Sequence, residues 1–259
     1  MKKKLLTRRS VLTAGAVAAV GGLTVAGYRS LIAPNSLRIL ESAEYVTLNA
    51  QRALLANQPL AREFGVADMS PTFKANGTTN PESQAYQAMV QNNFSTWRLK
   101  IDGLVTNPVN LSMADLKRLP QRTQITRHDC VEGWSAIGKW TGVPLGQLLE
   151  KAGMADNARY VVFHCADDYY EAADGSARYY ESIDLFDAFH PQTILAHTMN
   201  DAPLKVAHGA PLRLRVERQL GYKHAKYLMR IEVTDKLSHL GQGKGGFWPD
   251  RGYEWYAGI

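Results

Sequence analysis

Three observations predict an α+β fold built from mixed β-sheets with short helices. Runs of alternating apolar and polar residues, typical of half-buried strands, recur along the chain from residue 91 onward. The helical periods between them are short and are bounded by capping residues and prolines. Their order shows little of the strand-helix-strand repetition that builds parallel sheets. With 45% hydrophobic and 21% charged residues among 259, the chain has the composition of an ordinary globular protein.

The first 33 residues are predicted to be a targeting segment rather than part of the fold. A basic start, MKKKLLTRR, precedes a mildly apolar run over residues 11–28. The pair Arg8 and Arg9 in TRRSVL resembles a twin-arginine signal, which exports proteins already folded, often with a cofactor inserted. We therefore expect a periplasmic protein. A Sec-type signal and an uncleaved anchor in the inner membrane are the alternatives, because no crisp A-x-A cleavage site follows the run.

The net charge of +6 does not indicate a nucleic-acid-binding surface. Six of the 30 Lys and Arg residues lie in residues 1–33, which hold no Asp or Glu, so the remaining 24 balance 24 acidic residues. The rest of the sequence has no basic stripe interleaved with aromatic residues. We expect no nucleic-acid partner.

Residues 34–90 are predicted to form an N-terminal arm, and residues 91–259 a folded domain. In the arm, a helical face over residues 39–55 is followed by a stretch, residues 70–83, in which Pro, Gly, Asn and Thr accumulate. Such a segment is typical of a chain that wraps around a core.

The domain is predicted to begin with a strand, a helix and a second strand. Residues 97–105 alternate like a half-buried strand, and the next segment has a helical period from the Ser112 cap to just before Pro120. Residues 123–130 alternate again. This strand ends at Cys130, where the chain turns into a glycine-containing stretch.

A short helix and further strands follow. Pro144 suits the first turn of the helix and Gly153 suits its C-terminal cap. The next buried strand has Cys165 at its end, and three later strand candidates cover residues 192–200, 211–216 and 226–233. Both cysteines are thus predicted at strand ends, where sites are commonly assembled from loops on a rigid scaffold.

Two cysteines in an oxidising compartment suggest a disulfide by default. A bond between Cys130 and Cys165 would fit a non-catalytic exported module, which is the alternative function for this chain. Their spacing does not set their connectivity, and the residues around Cys130 favour different chemistry.

Two blocks of the sequence resemble a known family. The segment RHDCVEGWSAIGKWTGVPLGQLLEKAG holds a Cys-Val-Glu-x-Trp-Ser run at residues 130–135 and a Trp-Thr-Gly-x-Pro-Leu run at residues 140–145. The segment HGAPLRLRVERQLGYKHAKYLMRIEV holds Gly-Ala-Pro-x-Arg, Gly-aromatic-Lys and a final strand. Together they resemble the molybdopterin-binding core of the sulfite-oxidase family, closest to its branch of periplasmic catalytic subunits related to protein-methionine-sulfoxide reductase. The resemblance runs from about residue 92 to residue 233.

The resemblance implies the sulfite-oxidase type of fold and a molybdenum cofactor, in which a pterin dithiolene holds the metal. Cys130 is implied as the metal's protein ligand and hence as the catalytic residue, since the metal needs one further soft, anionic ligand. Arg213, Lys223 and Lys226 are implied to bind the pterin's phosphate, and Gly221 to let the backbone approach the ligand closely.

Further residues are implied around the pterin ring. Asn92, Asn93 and His208 fall where the family has amides and imidazoles that bind it. On a strand, His128 shares the face of Cys130, and a role next to the metal and a merely structural role are equally favoured.

Cys165 falls near the same implied pocket. Ligation of the metal, pairing with Cys130 under oxidation and filling of a buried corner are all open. The last is the default, because free cysteine is among the most buried residue types.

The implied activity is a two-electron, oxygen-atom-transfer type of reaction on a small substrate, with its direction open. Sulfite-oxidising members carry arginines that bind the anionic substrate, but here the corresponding positions are residues 91–93 and 131–134, which hold none, so sulfite is not expected. No C-x-x-C-H or iron-sulfur cysteine set occurs, so we expect no haem in this chain and infer a haem-containing electron-transfer partner, in solution or in the membrane. Since the chain stops at Ile259 without the β-sandwich domain of many sulfite oxidases, a monomeric catalytic unit is expected.

The C-terminal residues 241–259 are rich in glycine and aromatic residues. Their glycine spacing fits neither a phosphate-binding loop nor a repeat. They are expected to pack back over the body, with the mouth of the pocket as one candidate place.

Overall fold

The computed structural model describes residues 46–54, 57, 59–169 and 178–259. The chain divides into two compact units, Met1–Asn57 and Gln58–Ile259. In the first unit, residues 46–54 are helical and Leu54 is exposed. The predicted signal or anchor, residues 1–33, lies outside the described residues. Within the described part of the chain, no helix is both long and apolar enough to cross a bilayer.

The second unit contains short helices and strands. Its described strands are β1 (Leu99–Gly103), β2 (Val109–Leu111), β3 (Arg122–Cys130), β4 (Trp134–Pro144), β5 (Tyr160–Asp168), β6 (Arg178–Asp184), β7 (Ile194–Met199), β8 (Ala202–Pro203), β9 (Arg213–Arg215) and β10 (Leu228–Thr234). Its described α-helices are α1 (Gln84–Gln91), α2 (Met113–Arg118), α3 (Leu145–Ala152) and α4 (Leu185–Ala188). Short 3-10 turns lie at Val66–Asp68, Val206–His208, Gly221–Lys223 and Pro249–Arg251.

The strands form two five-stranded sheets. The first has the order β2-β1-β10-β5-β6, in which β1 and β10 are parallel and the other neighbours are antiparallel. The second has the order β3-β4-β7-β8, and β9 pairs with β7 as well. The first sheet is therefore mixed, and the β3–β4 hairpin of the second ends at Cys130.

Local sequence explains why the elements begin and end where they do. In β1, Leu99 and Ile101 are buried and Lys100 between them is exposed, as alternation predicts. The helix α2 begins at a capping box in which the Ser112 hydroxyl accepts from the Asp115 N–H and the Asp115 carboxylate accepts from the Ser112 N–H. The helix α3 ends at Gly153, whose φ of 66° favours glycine.

The hydrophobic core lies between the first sheet, α3 and the inner strands of the second sheet. It includes Trp97, Phe163 and Phe247, all fully buried. The Trp97 indole N–H donates to the Leu228 carbonyl at 3.0 Å, so this large side chain also satisfies its polar atom. The α+β fold class that the sequence predicts is confirmed.

Several elements differ from the sequence-based expectation. The glycine-containing stretch after Cys130 is a short turn followed by the 11-residue strand β4. The two glycines inside β4 lie at close contacts, Gly138 with the Phe73 ring and Gly142 with the Leu195 backbone, and do not mark turns. The helix α1 lies inside the expected irregular arm, and β6 was not expected. The prediction that Cys165 ends a strand is wrong: β5 continues to Asp168, and the Ala166 N–H donates to the Tyr227 carbonyl.

The contact between β4 and β7 at Gly142 should be sensitive to a single methyl group. A Cβ at Gly142 would lie 2.1 Å from the Leu195 carbonyl oxygen and 2.6 Å from the Ala196 Cα. We expect Gly142→Ala to lower the free energy of unfolding by about 1–3 kcal/mol, as overpacking typically does. Denaturant unfolding would measure this. The control is Gly65→Ala, whose Cβ would lie 3.4 Å from Asp68 Oδ2; equal stabilities of the two variants would contradict the prediction.

Candidate active site around Cys130

Cys130 is held at the end of the β3–β4 hairpin. It pairs with Trp134 across the hairpin, and the Gly133 N–H donates to the Cys130 carbonyl at 3.1 Å. The thiol is nearly buried and lies in the wall of a cavity of about 180 Å³. Burial raises the pKa of the Cys130 thiol, and the Glu132 carboxylate acts in the same direction. A metal cation deprotonates a ligating thiol outright, so a raised pKa in the protein alone is compatible with ligation.

Segments far apart in the sequence line this cavity. The arm supplies residues 76 and 77, the hairpin turn supplies Cys130 and its neighbours, and the ends of β5 and β6 supply tyrosines. The full set of lining residues is Asn76, Gly77, Cys130, Val131, Glu132, Tyr169, Tyr179, Tyr222, Trp248 and Tyr253. Because Trp248 and Tyr253 belong to the C-terminal segment, the expectation that this segment packs near the pocket is confirmed.

A smaller cavity of about 20 Å³ lies directly behind the first and shares Asn76, Tyr169 and Tyr179 with it. Its other lining residues are Asp167, Gly221, His224 and Lys226. Gly221 and Lys226, both implied by the sequence as cofactor residues, therefore lie together next to the Cys130 cavity. Two larger cavities, of about 350 and 370 Å³, lie against other residues, so chemistry rather than size identifies the site.

Arg213 is a fully buried cation without an acidic partner among the described residues. Its guanidinium donates to the His208 carbonyl at 3.0 Å and to the His224 carbonyl at 3.4 Å, and its Nε has no partner. Burial, with Arg215 beside it, lowers the pKa of Arg213 to about 9, which leaves it charged at neutral pH. A buried cation of this kind is costly unless an anion joins it.

His128 is buried on the same face of β3 as Cys130. Because Arg215 can only donate, its 3.0 Å contact makes His128 Nδ1 the acceptor and places the ring hydrogen on Nε2. That Nε2 has no partner and lies against Gly221, where a Cβ would be 2.6 Å away. Burial, then Arg215, lower the pKa of His128 well below its ordinary value, so the ring is neutral.

Lys226 is almost fully buried, but its ammonium is already bound. It donates to the carbonyls of Asn76 at 2.7 Å, Ala207 at 3.1 Å and Thr78. Burial, then Arg213, lower the pKa of Lys226 to about 7. Lys226 thus links the N-terminal arm to the wall of the cavity through hydrogen bonds. It adds positive charge to the site but has no N–H free to donate to a ligand.

Lys223 is directed away from the Cys130 cavity. Its Nζ lies 2.6 Å from Glu181 Oε2, and both side chains are fully buried. The ammonium also lies over the Trp255 ring at 5.3 Å. The structure therefore brings Lys223 together with the C-terminal segment instead of with Arg213 and Lys226.

His208 ends the 3-10 turn that precedes Arg213, and its carbonyl accepts from that arginine. Burial, then Arg213 and Lys226, lower the pKa of His208 to about 4, so its imidazole is neutral near pH 7. Its ring packs edge-on against Phe73 of the arm, with 6.0 Å between centroids.

Asn92 and Asn93 lie in a turn at the surface after α1. The Asn92 side chain donates to the Thr96 hydroxyl at 3.0 Å and accepts from the Ser95 N–H at 3.1 Å, so its polar atoms are used within the turn. Asn93 is exposed, with a φ of 52°. The structure does not bring either amide into the wall of the two cavities.

Both cysteines are free thiols, so the structure does not contain the disulfide that the alternative function requires. Cys165 is buried in β5, and burial raises the pKa of its thiol well above the ordinary value. Its Sγ lies 3.9 Å from the Phe163 carbonyl. These features match a thiol that fills a buried corner.

We expect two free thiols per chain when the protein is unfolded in denaturant without reductant. The protein would be purified aerobically, and a thiol-specific chromophore would give the count. A Cys165→Ala variant should give one thiol. No free thiol in the parent protein would restore the disulfide alternative.

The residues around the two cavities fit a molybdenum cofactor. A phosphate-bearing pterin is anionic, and the buried charge of Arg213 needs an anion. Buried polar atoms without partners, namely Arg213 Nε, His128 Nε2 and His224 Nδ1, supply donors and acceptors for a ring with amide-like edges. Cys130 supplies the soft ligand.

Sequence reasoning missed three contributors to this site. Asp167 and His224 have unpartnered buried atoms at the smaller cavity, and Asn76 of the arm lines both cavities. His224 lies inside the second family-like block, so its type and position were available as a signal. Asp167 and Asn76 reach the site through long-range packing, for which no local pattern exists.

Curated relatives are similar to this chain over part of their length. A protein of Azospira oryzae, named provisionally as protein-methionine-sulfoxide reductase subunit YedZ1, is 42% identical over 164 residues, covering 63% of this chain and 56% of the relative. Protein-methionine-sulfoxide reductase catalytic subunits MsrP of Xanthomonas campestris and Campylobacter jejuni are each 36% identical, covering 56% and 55% of this chain. The chain spans 47% to 56% of the length of these three relatives.

Among solved structures, the sulfane dehydrogenase SoxCD from Paracoccus pantotrophus is similar, with a TM-score of 0.48 and 26% identity over 54% of this chain and 38% of that one. The family model described as the oxidoreductase molybdopterin binding domain matches residues 86–240. This match confirms the family resemblance read from the sequence, since it includes both the Cys130 block and the Arg213 block. Because the match covers well over half of the sequence, the chain belongs to the family of oxidoreductase molybdopterin binding domains.

Proposed function

We propose that this chain is the molybdenum-cofactor catalytic subunit of an exported enzyme that reduces methionine sulfoxide. The observation that carries this proposal is the thiol of Cys130 in the wall of a cavity that adjoins a smaller one lined by His224. The His224 carbonyl accepts from Arg213, a buried cation with no acidic partner among the described residues. The names of the relatives supply the substrate, and the chain's own site supplies the chemistry.

The bound cofactor would supply two-electron redox chemistry at a metal. Cys130 would ligate that metal, and Arg213 would bind the phosphate. His128, His208 and Gly221 would surround the ring, with Lys226 adding positive charge and holding the arm in place. Lys223 would stabilise the C-terminal wall through Glu181 instead of binding the phosphate.

The mouth of the cavity suits an uncharged sulfoxide better than a small dianion. Val131 and Tyr253, both at the cavity, are 45% and 40% exposed, so apolar surface lies at the mouth together with the exposed carboxylate of Glu132. A sulfite ion would need cationic donors such as a bidentate arginine. The described cavity lining contains none, and a methionine sulfoxide side chain has both an apolar stem and a polar S–O group.

We also propose that the protein works in the periplasm with an electron-donating partner. The basic, apolar start with Arg8 and Arg9 supports export by the twin-arginine route, with an anchored form as the variant of this proposal. The relatives are named as subunits, which supports a separate electron-transfer protein, and a haem protein of the membrane is the partner we propose. Fractionation of cells expressing the full chain, and of an Arg8→Lys, Arg9→Lys variant, would test the location.

The test of function uses protein purified from a host that makes the molybdenum cofactor. We expect near-stoichiometric molybdenum by plasma mass spectrometry, and oxidation of reduced benzyl viologen that depends on methionine sulfoxide. Oxidised casein should serve as a protein-bound substrate, and sulfite with an electron acceptor should not react. Absence of molybdenum from the purified chain would overturn the proposal, as would molybdenum-loaded protein that oxidises sulfite but leaves sulfoxides unchanged.

A further inference from the structure

Asp167 is a buried carboxyl group behind the Cys130 cavity, with one oxygen free. The residue lies near the end of β5, is 2% exposed, and lines the cavity of about 20 Å³. The Thr78 hydroxyl hydrogen-bonds the carboxyl, while Oδ1 has no partner. A cavity of this volume is large enough for one water molecule. It adjoins the Cys130 cavity, with which it shares the lining residues Asn76, Tyr169 and Tyr179.

The surroundings of Asp167 keep a proton on it at mildly acidic pH, up to about pH 6. Burial raises the pKa of Asp167 to about 6, against the opposing charge of Lys226. That ammonium donates to three carbonyls, so it acts on Asp167 through its charge and not as a hydrogen-bond donor. The other titratable groups that face the carboxyl or its cavity are Tyr86, Cys165, Asp168, Tyr169, Tyr179, His224 and Tyr227.

Other acids near the cavities are poorly placed to deliver a proton. Glu132 is exposed at the mouth and accepts from the Trp134 indole at 3.0 Å. Glu181 is buried with its Oε2 paired to Lys223 at 2.6 Å, and although its Oε1 has no partner, the residue lines neither cavity. His224 donates its ring hydrogen to the Gln219 carbonyl, so its free Nδ1 accepts and does not donate. Among the described residues, Asp167 thus combines a removable proton with a free oxygen at the cavity.

We propose that Asp167 delivers a proton to the oxygen that leaves the sulfoxide, through the small cavity behind Cys130. This inference rests on the proposed function. Reduction of a sulfoxide takes two electrons and two protons: the S–O bond breaks, the sulfur becomes a thioether, and the oxygen leaves as water. The external reductant provides the electrons, Asp167 provides one proton per turnover, and solvent at the open mouth provides the other and later reprotonates Asp167.

The test compares holoenzyme variants Asp167→Asn and Asp168→Asn, with reduced benzyl viologen and methionine sulfoxide. The control residue Asp168 is exposed and ion-paired with Arg178 at 2.8 Å. Because an acid is needed in its protonated form, wild-type kcat should fall as pH rises through about 6. In Asp167→Asn, kcat should be lower by about 100-fold and this limb should vanish. Asp168→Asn should keep both the rate and the limb.

Two readouts are independent of turnover. Molybdenum content and melting temperature should be unchanged in Asp167→Asn, and infrared titration of the wild type and of Asp168→Asn should show a carboxylic-acid band that Asp167→Asn lacks. Loss of molybdenum from Asp167→Asn would assign the residue to cofactor binding and overturn the inference. So would an unaltered pH profile in a variant that reduces sulfoxide normally. If wild-type, molybdenum-loaded protein reduces no sulfoxide, the proposed function fails instead, while the infrared band still reports on Asp167.

Discussion

Replacing Cys130 by serine is expected to abolish sulfoxide reduction while the protein stays folded. The hydroxyl is a harder and much less acidic ligand than a thiol, so it does not supply the soft anion that the metal needs. Loss of a partner of a metal ligand already costs about 10–100-fold, and loss of the ligand itself should cost more. Stopped-assay rates and the visible spectrum of the purified protein would measure the change.

The matched control is Cys165→Ser. This thiol lies in β5 and hydrogen-bonds within its own strand, so its replacement should alter stability slightly and leave most of the activity. Activity in Cys130→Ser equal to that of Cys165→Ser would contradict ligation by Cys130.

Arg213→Met is expected to lower molybdenum content strongly without lowering the stability of the cofactor-free protein. The arginine is buried and donates only to carbonyls of His208 and His224, so an apolar side chain of similar length removes an uncompensated charge. Replacing buried charge by well-packed apolar side chains is commonly neutral or stabilising. Thermal unfolding of protein from a host that lacks the cofactor, and metal analysis of protein from a host that makes it, would measure the two effects.

At the nearby position 215, by contrast, Arg215→Met is expected to lower the stability of the cofactor-free protein. Arg215 forms a bidentate pair with Glu217, at 2.9 and 2.5 Å, and both side chains are fully buried. Its removal leaves the buried Glu217 carboxylate without a cation and with the Gln124 side-chain amide still donating to it, and breaking a buried pair in this way typically costs about 3–5 kcal/mol. If Arg213→Met destabilises the cofactor-free protein as much as Arg215→Met does, Arg213 is a structural cation and not a cofactor ligand.

The parts of the fold that sequence patterns predicted are those with local causes. The Ser112 cap, the Gly153 cap and the alternation that ends at Cys130 each depend on residues a few positions apart, and the structure contains all three. The strand β4 was missed because its glycines are selected by close contacts with other segments and look like turn residues in the sequence.

In the candidate site, too, sequence patterns predicted some residues correctly and missed what depends on contacts between distant segments. Cys130 and Arg213 belong to blocks with a strong family pattern, so their importance could be inferred. Lys223 and Lys226 are indistinguishable in the sequence, three residues apart in one block, but the turn Gly221–Lys223 directs Lys223 to Glu181. The direction of a lysine side chain and the choice of its partner depend on tertiary packing, which a single sequence does not show.

Some residues that line the Cys130 cavity lie outside the region that matches the family model. Residues 86–240 hold the thiol and the cations, yet Asn76 and Gly77 precede this region and Trp248 and Tyr253 follow it. A shortened protein made from the matched region alone would keep the groups that we propose hold the cofactor and lose four residues that line the Cys130 cavity. Access to the thiol in this chain therefore depends in part on residues outside the region that matches the family model.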